Sequence, residues 1–340
     1  RGPREHNSQK MKVLRCDDKT LKIDASGQFF LVTGGNSGIG LETVKQLAAQ
    51  GGTVVLTSRN LSVGREVADS INAGHPRGKV DAMQLDLADP DSVIKFAAEF
   101  KSKYSSLHVL INNAGIMNLP KRELSKINVE MQFATNHLGH FQLTNLLLDL
   151  LLKSAPSRII CVSSCYHHVA MGKRGYINAE DPSFEKRPYN GWEAYAQSKL
   201  ANVLHARELA RRLQGTGVTV VSLHPGWVRT RLIRHSLPLW CQNCCLMPCL
   251  RAAGMIEPED GMQTSLHCAL DPSVAAHAGE FYSQDGMYTG KGHLSGWPMP
   301  SPNPEVTDGN GTKLWELSER LLGGRAGSAQ PPVAVSSMGP

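Results

Sequence analysis

The octapeptide Thr33-Gly34-Gly35-Asn36-Ser37-Gly38-Ile39-Gly40 constrains this chain more than any other feature. It follows a short apolar run beginning at Phe29. It opens a stretch, GIGLETVKQLAAQ, whose Leu41, Val44, Leu47 and Ala48 recur on one helical face. A strand that enters a glycine-rich turn and leaves as a helix lets backbone approach a phosphate closely. The helix start then presents free N–H groups and the positive end of its dipole. Gly34, Gly38 and Gly40 follow the T-G-x-x-x-G-x-G spacing rather than the tighter G-x-G-x-x-G. By itself such a turn also reads as a plain loop; the flanking strand and helix favour a pyrophosphate cradle formed by Gly34, Asn36, Ser37, Gly38, Ile39 and Gly40.

Short apolar runs alternate with longer amphipathic stretches down the chain. Strands are expected at TVVLTSR, VDAMQLDL, HVLINNAG, RIICVSS and VTVVSLHPG, with helices between them, the long ones over about 129–154 and from Gly191 onward. Continuous apolar strands separated by helices predict a parallel sheet wrapped on both faces. Residues 1–27 read as an N-terminal extension and 28–295 as one dinucleotide-binding catalytic domain. Residues 296–322 read as a loop and a short amphipathic helix, and 323–340 as a disordered tail.

Composition excludes several classes. With 41% apolar and 19% charged residues among 340, the chain can bury a large core, and wholesale disorder is out. Its net charge of +6 is spread among acidic residues, which argues against a nucleic-acid surface. No apolar run reaches the ~18 residues of a membrane span. No secretory signal opens the chain, which begins at Arg1, so an anchor preceding it stays open. Four of the eight cysteines, Cys241, Cys244, Cys245 and Cys249, crowd together, unlike a secreted disulfide scaffold; a reducing compartment is expected.

Two further features point to chemistry. The second expected strand ends Thr57-Ser58-Arg59-Asn60, without the carboxylate that would hold a ribose 2′-hydroxyl. Arg59 instead suits a 2′-phosphate, with Ser58 and Asn60 as donors beside it, which favours NADP(H) over NAD(H); the alternative is an ordinary solvated arginine. Farther on, Tyr195 and Lys199 stand four apart and face one way on a helix. A tyrosine titrates near ~10, and a neighbouring ammonium favours its phenolate, bringing it toward the range of a general acid/base.

TGGNSGIG, INNAG (111–115), Asn136 in its helix, VSS (162–164), YAQSK (195–199) and HPGWVRT (224–230) occur in this order. The set resembles the short-chain dehydrogenase/reductase family over about residues 29–290. The resemblance implies a Rossmann-type, doubly wound α/β fold with a mostly parallel seven-stranded sheet and helices on both faces. It implies Tyr195 as general acid/base, Lys199 to tune it and hold the nicotinamide ribose, and Ser164 to polarise the substrate carbonyl, with Ser163 as rival. Asn136 would anchor a water in a proton relay. Asp86 and Leu87 would meet the adenine; Asn113, Ala114 and Gly115 would line the adenosine ribose. Pro225, Gly226, Val228 and Thr230 would hold the nicotinamide side. No metal is required. His224 reads as structural or as a proton carrier.

NHLGHFQLTNLLLDLLL (136–152), residues 195–213 and TSLHCAL (264–270) resemble the retinol dehydrogenase-like branch, which implies a small lipophilic alcohol or carbonyl as substrate. FLVTGGNSGIG and HVLINNAGIMNLPKREL look closer to a less-characterised group of vertebrate-type dehydrogenase/reductases. The apolar segment after Thr230, about 229–257, would form a substrate lid. Its cysteines read as small hydrophobes, as membrane contact through 237–250 by insertion or S-palmitoylation, or as metal ligands. By analogy the protein is intracellular, cytosolic or associated with the endoplasmic reticulum membrane, and pairs as a homodimer through its two long helices. The alternative function is an NADPH-binding regulator or scaffold with little turnover.

Overall fold

The computed structural model describes residues 13–74, 77–230, 232, 246–252, 254–284 and 296–327. Its main sheet contains β1 (Phe29–Val32), β2 (Thr53–Ser58), β3 (Lys79–Gln84), β4 (Val109–Asn112), β5 (Ser157–Val162), β6 (Val218–His224), β7 (Phe281–Ser283) and β8 (Gly296–Met299). The order across the sheet is β8-β7-β6-β5-β4-β1-β2-β3. All neighbours are parallel except β8, which runs antiparallel to β7. The interior strands are buried on both faces, as their unbroken apolar runs predict; every residue of β4 and β6 is buried.

The expected seven strands become eight among the described residues. Residues 296–299 fall in a stretch that the sequence predicts as loop because it is rich in Pro, Gly and Asn. An edge strand needs to bond on one side only, so Pro298 is tolerated there. Gly296 pairs with Ser283 and Met299 with Phe281.

Helices α2 (Gly38–Ala49), α3 (Leu61–Gly74) and α8 (Pro258–Leu270) cover one face of the sheet, where Val44, Leu47, Ile71 and Leu266 are buried against Val54, Ile111 and Val221. The short α1 (Asp18–Leu21) precedes β1, and its segment is held to the end of α2 by Gln50 Nε2 donating to the carbonyls of Thr20 and Ile23. The other face carries α4 (Pro90–Lys103), α5 (Gly139–Lys153), α6 (Gly191–Arg212) and α9 (Asp308–Leu322), packed through Phe96, Phe141, Leu147, Leu204 and Trp315. Capping marks these helices in sequence: Asp89 accepts from Asp91 N at 3.2 Å ahead of Pro90, and Asn190 accepts from Trp192 N and Glu193 N at 3.0 and 3.1 Å. The segment Leu246–Ala252 forms a short helix, α7.

Helix α9 lies across α5 and α6. Trp315 meets Phe141 edge-on at 4.7 Å, Arg212 sits 4.0 Å over the Trp315 ring, and His137 bonds Ser318 at 2.8 Å. Helix α9 thus packs on the two long helices through which the resemblance implies a homodimer. The turn Gly323–Arg325 packs against α5, where Gln142 Nε2 donates to Arg325 O at 2.8 Å. The remainder of the expected tail, from 328, lies outside the described residues.

Candidate active site

Strand order reverses direction between β1 and β4, the place where an open α/β sheet leaves a crevice at its carboxyl edge. The glycine turn leaves β1 at this point. Gly34 and Gly38 have φ of 65° and 57°, in the left-handed region that a side chain disfavours. At Gly40 the restriction is contact: a Cβ would lie 2.5 Å from Asn113 Nδ2 and 2.6 Å from Gly34 O. Ser37 has the extended backbone of an N-cap, yet its side chain accepts no bond from the first turn of α2. The first-turn N–H groups therefore keep their capacity for an anionic ligand, and the turn fits a pyrophosphate.

Thr33 ties this turn to β4. Its hydroxyl accepts from Asn113 N and Ala114 N at 2.8 and 2.9 Å, and its carbonyl accepts from Asn113 Nδ2 at 2.7 Å. The same hydroxyl lies 2.8 Å from His140 Nε2, while His140 Nδ1 lies 2.9 Å from Asn136 O. Burial pushes His140 down to about 4, so its ring is neutral. A carbonyl only accepts, so Nδ1 carries the hydrogen and Nε2 takes the Thr33 proton.

Asn136 lies in a π-helical turn, Ala134–Leu138, between the short helix Met131–Phe133 and α5. The turn widens the backbone where Asn136 O bonds the His140 ring. The Asn136 amide exchanges two bonds with Ile116, at 2.8 and 2.9 Å, and donates a third to Ser198 Oγ at 2.9 Å. Gly139 permits the approach of α5 to the loop after β3, since a Cβ there would stand 2.3 Å from Leu87 O.

Lys199 is buried on α6. Its Nζ donates to Val162 O at 3.0 Å and lies 5.7 Å from the Tyr195 ring centroid. Burial lowers its pKa to about 8. Asn202 Nδ2 donates to the same carbonyl at 3.0 Å, and Ser163 Oγ donates to Lys199 O at 2.6 Å. The end of β5 and the middle of α6 are thus stitched together. Ser163 is committed to that stitch. Ser164, next along, instead accepts from Tyr166 N at 3.3 Å, within its own loop. Gly115 completes the cluster; a Cβ there would lie 3.3 Å from Asn136 Oδ1 and 3.5 Å from Lys199 Nζ.

Around Tyr195 the wall is apolar: Met117, Cys165, Tyr166, Ala196 and Met255 are buried with it, and Trp192, Trp227 and Leu250 pack alongside. Burial raises the Cys165 thiol to about 12, so it acts as a small hydrophobe. After β6, the loop with Pro225, Gly226 and Val228 turns back over the phosphate turn. Val228 bridges Ile256, and the Thr230 methyl stands 3.0 Å from the position a Gly38 Cβ would take. His224 is buried and held down to about 3 by that burial. A group so hard to protonate suits a structural role better than proton transfer.

At the outer end of the crevice, Arg59 follows β2 with an exposed side chain, and its guanidinium has no partner among the described residues. Asn60 Oδ1 is engaged in capping α3 through Ser62 N at 3.1 Å, which leaves its amide donors; Ser58 is buried. Asp86 and Leu87 lie just past β3, and Asp86 Oδ1 accepts from Ala88 N at 3.0 Å. These two strand ends are separated from the β5 end beside Tyr195 by the width of β1 and β4, as an extended dinucleotide would require.

Thr33, His140, Ser198 and Asn202 belong to the network, yet the motifs that contain them assign them no role. Their spacing held a clue: His140 is four after Asn136 and Asn202 three after Lys199, so each shares a helical face with a candidate. Of the cysteine cluster, Cys241, Cys244 and Cys245 lie outside the described residues, as does most of the expected lid, while Cys249 is exposed on α7. Among the described residues no cluster of His, Cys, Asp and Glu could hold a metal, and no helix is long and apolar enough to cross a membrane.

A Rossmann-type crevice with a glycine cradle at one end and a buried lysine beside a tyrosine at the other defines a dinucleotide-binding oxidoreductase. The short chain dehydrogenase family model matches residues 28–176. Retinol dehydrogenase 12 of Homo sapiens is 40% identical over 301 residues, covering 88% of each chain. Retinol dehydrogenase 11 of Homo sapiens is 40% identical over 313 residues, 92% of this chain and 91% of that protein. Among solved structures, a short chain dehydrogenase from Escherichia coli CFT073 complexed with NADPH superposes with a TM-score of 0.61 at 25% identity, over 77% of this chain and 98% of that one. The chain belongs to the short-chain dehydrogenase/reductase family.

Proposed function

We propose that the protein is an NADP(H)-dependent oxidoreductase that interconverts a lipophilic alcohol and its carbonyl, of retinoid, steroid or lipid-aldehyde type. The observation that carries this reading is the buried Lys199 ammonium beside Tyr195, set in an apolar wall next to Ser164. Similarity to the two human retinol dehydrogenases supports a retinoid-like substrate. The exposed Arg59 at the end of β2, where no carboxylate stands, supports the phosphorylated dinucleotide, as does likeness to a structure complexed with NADPH.

The glycine cradle and the first turn of α2 would hold the pyrophosphate, Arg59 the 2′-phosphate, and Pro225 to Thr230 the nicotinamide side. The bound nicotinamide supplies or accepts the hydride. Everything else falls to the chain. Tyr195 passes a proton to or takes one from the substrate oxygen, and Ser164 donates a hydrogen bond to the same oxygen, where charge develops. The Lys199 ammonium favours the Tyr195 phenolate in a low-dielectric wall that strengthens the effect. Asn136, fixed by Ile116 and Ser198, keeps Lys199 and Tyr195 in register and anchors the relay that returns the proton. Met117, Tyr166, Trp192 and Trp227 exclude water and favour an apolar substrate.

Purified protein assayed with NADPH or NADH against a carbonyl panel containing retinal, with Tyr195→Phe beside it, tests the reading. Turnover with NADPH that the variant loses while still binding NADPH is expected. Tight NADPH binding with no turnover on any carbonyl would point to a regulator or scaffold instead.

A further inference from the structure

The residues after β8 reach back into the loop that carries Ser164. This loop begins with a 3-10 turn, Cys165–His167, and continues into a small hairpin, Val169–Ala170 with Lys173–Arg174. His167 is fully buried, and burial lowers its pKa to about 4, so the ring is neutral. Its Nδ1 lies 2.6 Å from Ser164 O and its Nε2 2.8 Å from Ser301 Oγ. The carbonyl can only accept, so Nδ1 donates to Ser164 O and Nε2 accepts from the Ser301 hydroxyl. One ring therefore reads both sides: the catalytic loop at one edge and the C-terminal segment at the other.

Asn303 makes the second half of the clamp. It is 2% exposed, and its Nδ2 donates both to His167 O and to Gly175 O, at 2.5 and 3.0 Å. Those two carbonyls belong to the turn after Ser164 and to the exit of the hairpin. Gly175 is pressed onto the turn; a Cβ there would stand 2.3 Å from His167 O. Asn303 itself is fixed, its Oδ1 accepting from Glu305 N at 3.0 Å and its N–H donating to Ser301 Oγ at 3.3 Å. His167 and Asn303 are buried and their polar groups matched, so loss of one partner leaves another unsatisfied.

We infer that His167 and Asn303 are positioning residues of the reaction: with Ser301 they clamp the segment after β8 onto the Ser164 loop, fixing the Ser164 backbone and the hairpin beside Trp192. Neither touches the reacting atoms. Both act through Ser164, so the inference rests on the role proposed for Ser164 above. The hydroxyl must be aimed at the substrate oxygen, and misplacement of such a donor by about 1 Å can cost about 100-fold in rate.

The test uses the full chain with NADPH and retinal, reading kcat, KM and, separately, the NADPH dissociation constant by fluorescence. His167→Phe keeps the ring's volume and removes both bonds. It should lower kcat by about 10–100-fold while the NADPH dissociation constant stays within about twofold. His167→Asn places an amide donor near the former Nδ1 and should recover kcat to within about fivefold of wild type. Asn303→Ala, which frees the hairpin as well, should lower kcat and raise KM together. Wild-type kcat in His167→Phe overturns the inference. So does a loss of kcat matched by an equal loss of NADPH affinity that His167→Asn fails to rescue, because that pattern reports general unfolding. Ser164→Ala separates the two levels. If it retains full turnover, the role of Ser164 itself fails; if it is inactive while His167→Phe is fully active, only the clamp fails.

Discussion

Replacing Gly40 by alanine sets two opposed effects of known size against each other. Gly40 is the third residue of α2, and alanine in a helix is favoured over glycine by about 1 kcal/mol. Propensity alone therefore predicts a stabilised protein. The new Cβ, however, would stand 2.5 Å from Asn113 Nδ2 and 2.6 Å from Gly34 O, and the second neighbour is backbone. Overpacking of this kind costs about 1–3 kcal/mol. Displacing Asn113 also forfeits its bond to Thr33 O, about 1 kcal/mol more. The net loss is about 1–3 kcal/mol, or roughly 1–4 °C in Tm for a chain of this length. The damage falls inside the phosphate cradle, so ligand-induced stabilisation falls too. Wild type should gain about 2.7 kcal/mol at NADPH one hundred times its Kd, and the variant much less at the same concentration. The assay is thermal unfolding with and without NADPH. Gly74→Ala, with nothing within 4 Å of the added carbon, serves as a control and should be neutral or slightly stabilised. A Gly40→Ala protein that melts at or above wild type and keeps the full NADPH shift would show that the contact yields freely and that close approach is not what requires glycine here.

Three other outcomes follow from the same geometry. Arg59→Ala should weaken NADPH binding by about 10–100-fold and leave NADH nearly unchanged, since a charge-assisted bond contributes about 1.5–3 kcal/mol; equal losses for both would refute the 2′-phosphate contact. Burial holds His140 and His167 at about 4 and His205 and His224 at about 3, below the ordinary 6.5. The unfolded chain thus takes up protons first as pH falls, and the urea midpoint should drop steadily from about pH 6.5 to about pH 4, a trend whose absence would show that these rings are not buried neutral. Lys199 is lowered from 10.5 to about 8, so the unfolded chain holds its proton longer. Stability should therefore rise from pH 8 toward 10 while kcat falls as the ammonium is lost, and Lys199→Met should abolish turnover and flatten that stability rise.

The motifs that were legible in the sequence are the local ones. Thr33 to Gly40 spell their own turn, because φ and close approach demand glycine at fixed positions along one continuous segment. Tyr195 and Lys199 share a face through the 3.6-residue period of a helix. Buried parallel strands announce themselves as unbroken apolar runs, and Asp89 and Asn190 announce helix starts through their caps. Strand β8 was not legible, because an edge strand with one bonded side needs neither alternation nor freedom from proline. The choice between Ser163 and Ser164 was open as well. It is narrowed by a bond from Ser163 to Lys199 O, across 36 residues of sequence.

Only the tertiary structure decided what surrounds the motifs. It placed Thr33 against His140 across 107 residues and His167 against Ser301 across 134. It laid α9 over the two long helices and opened the π turn at Asn136. None of these follows from periodicity or spacing, since a buried hydroxyl or imidazole takes as partner whatever polar group the packed fold brings within about 3 Å. The sequence by itself determined the dinucleotide-binding topology and the tyrosine–lysine pair, through short-range sterics and helical period. The folded chain decided how rigidly that pair is held and by which distant residues, because satisfying buried polar groups is a property of the whole packed molecule.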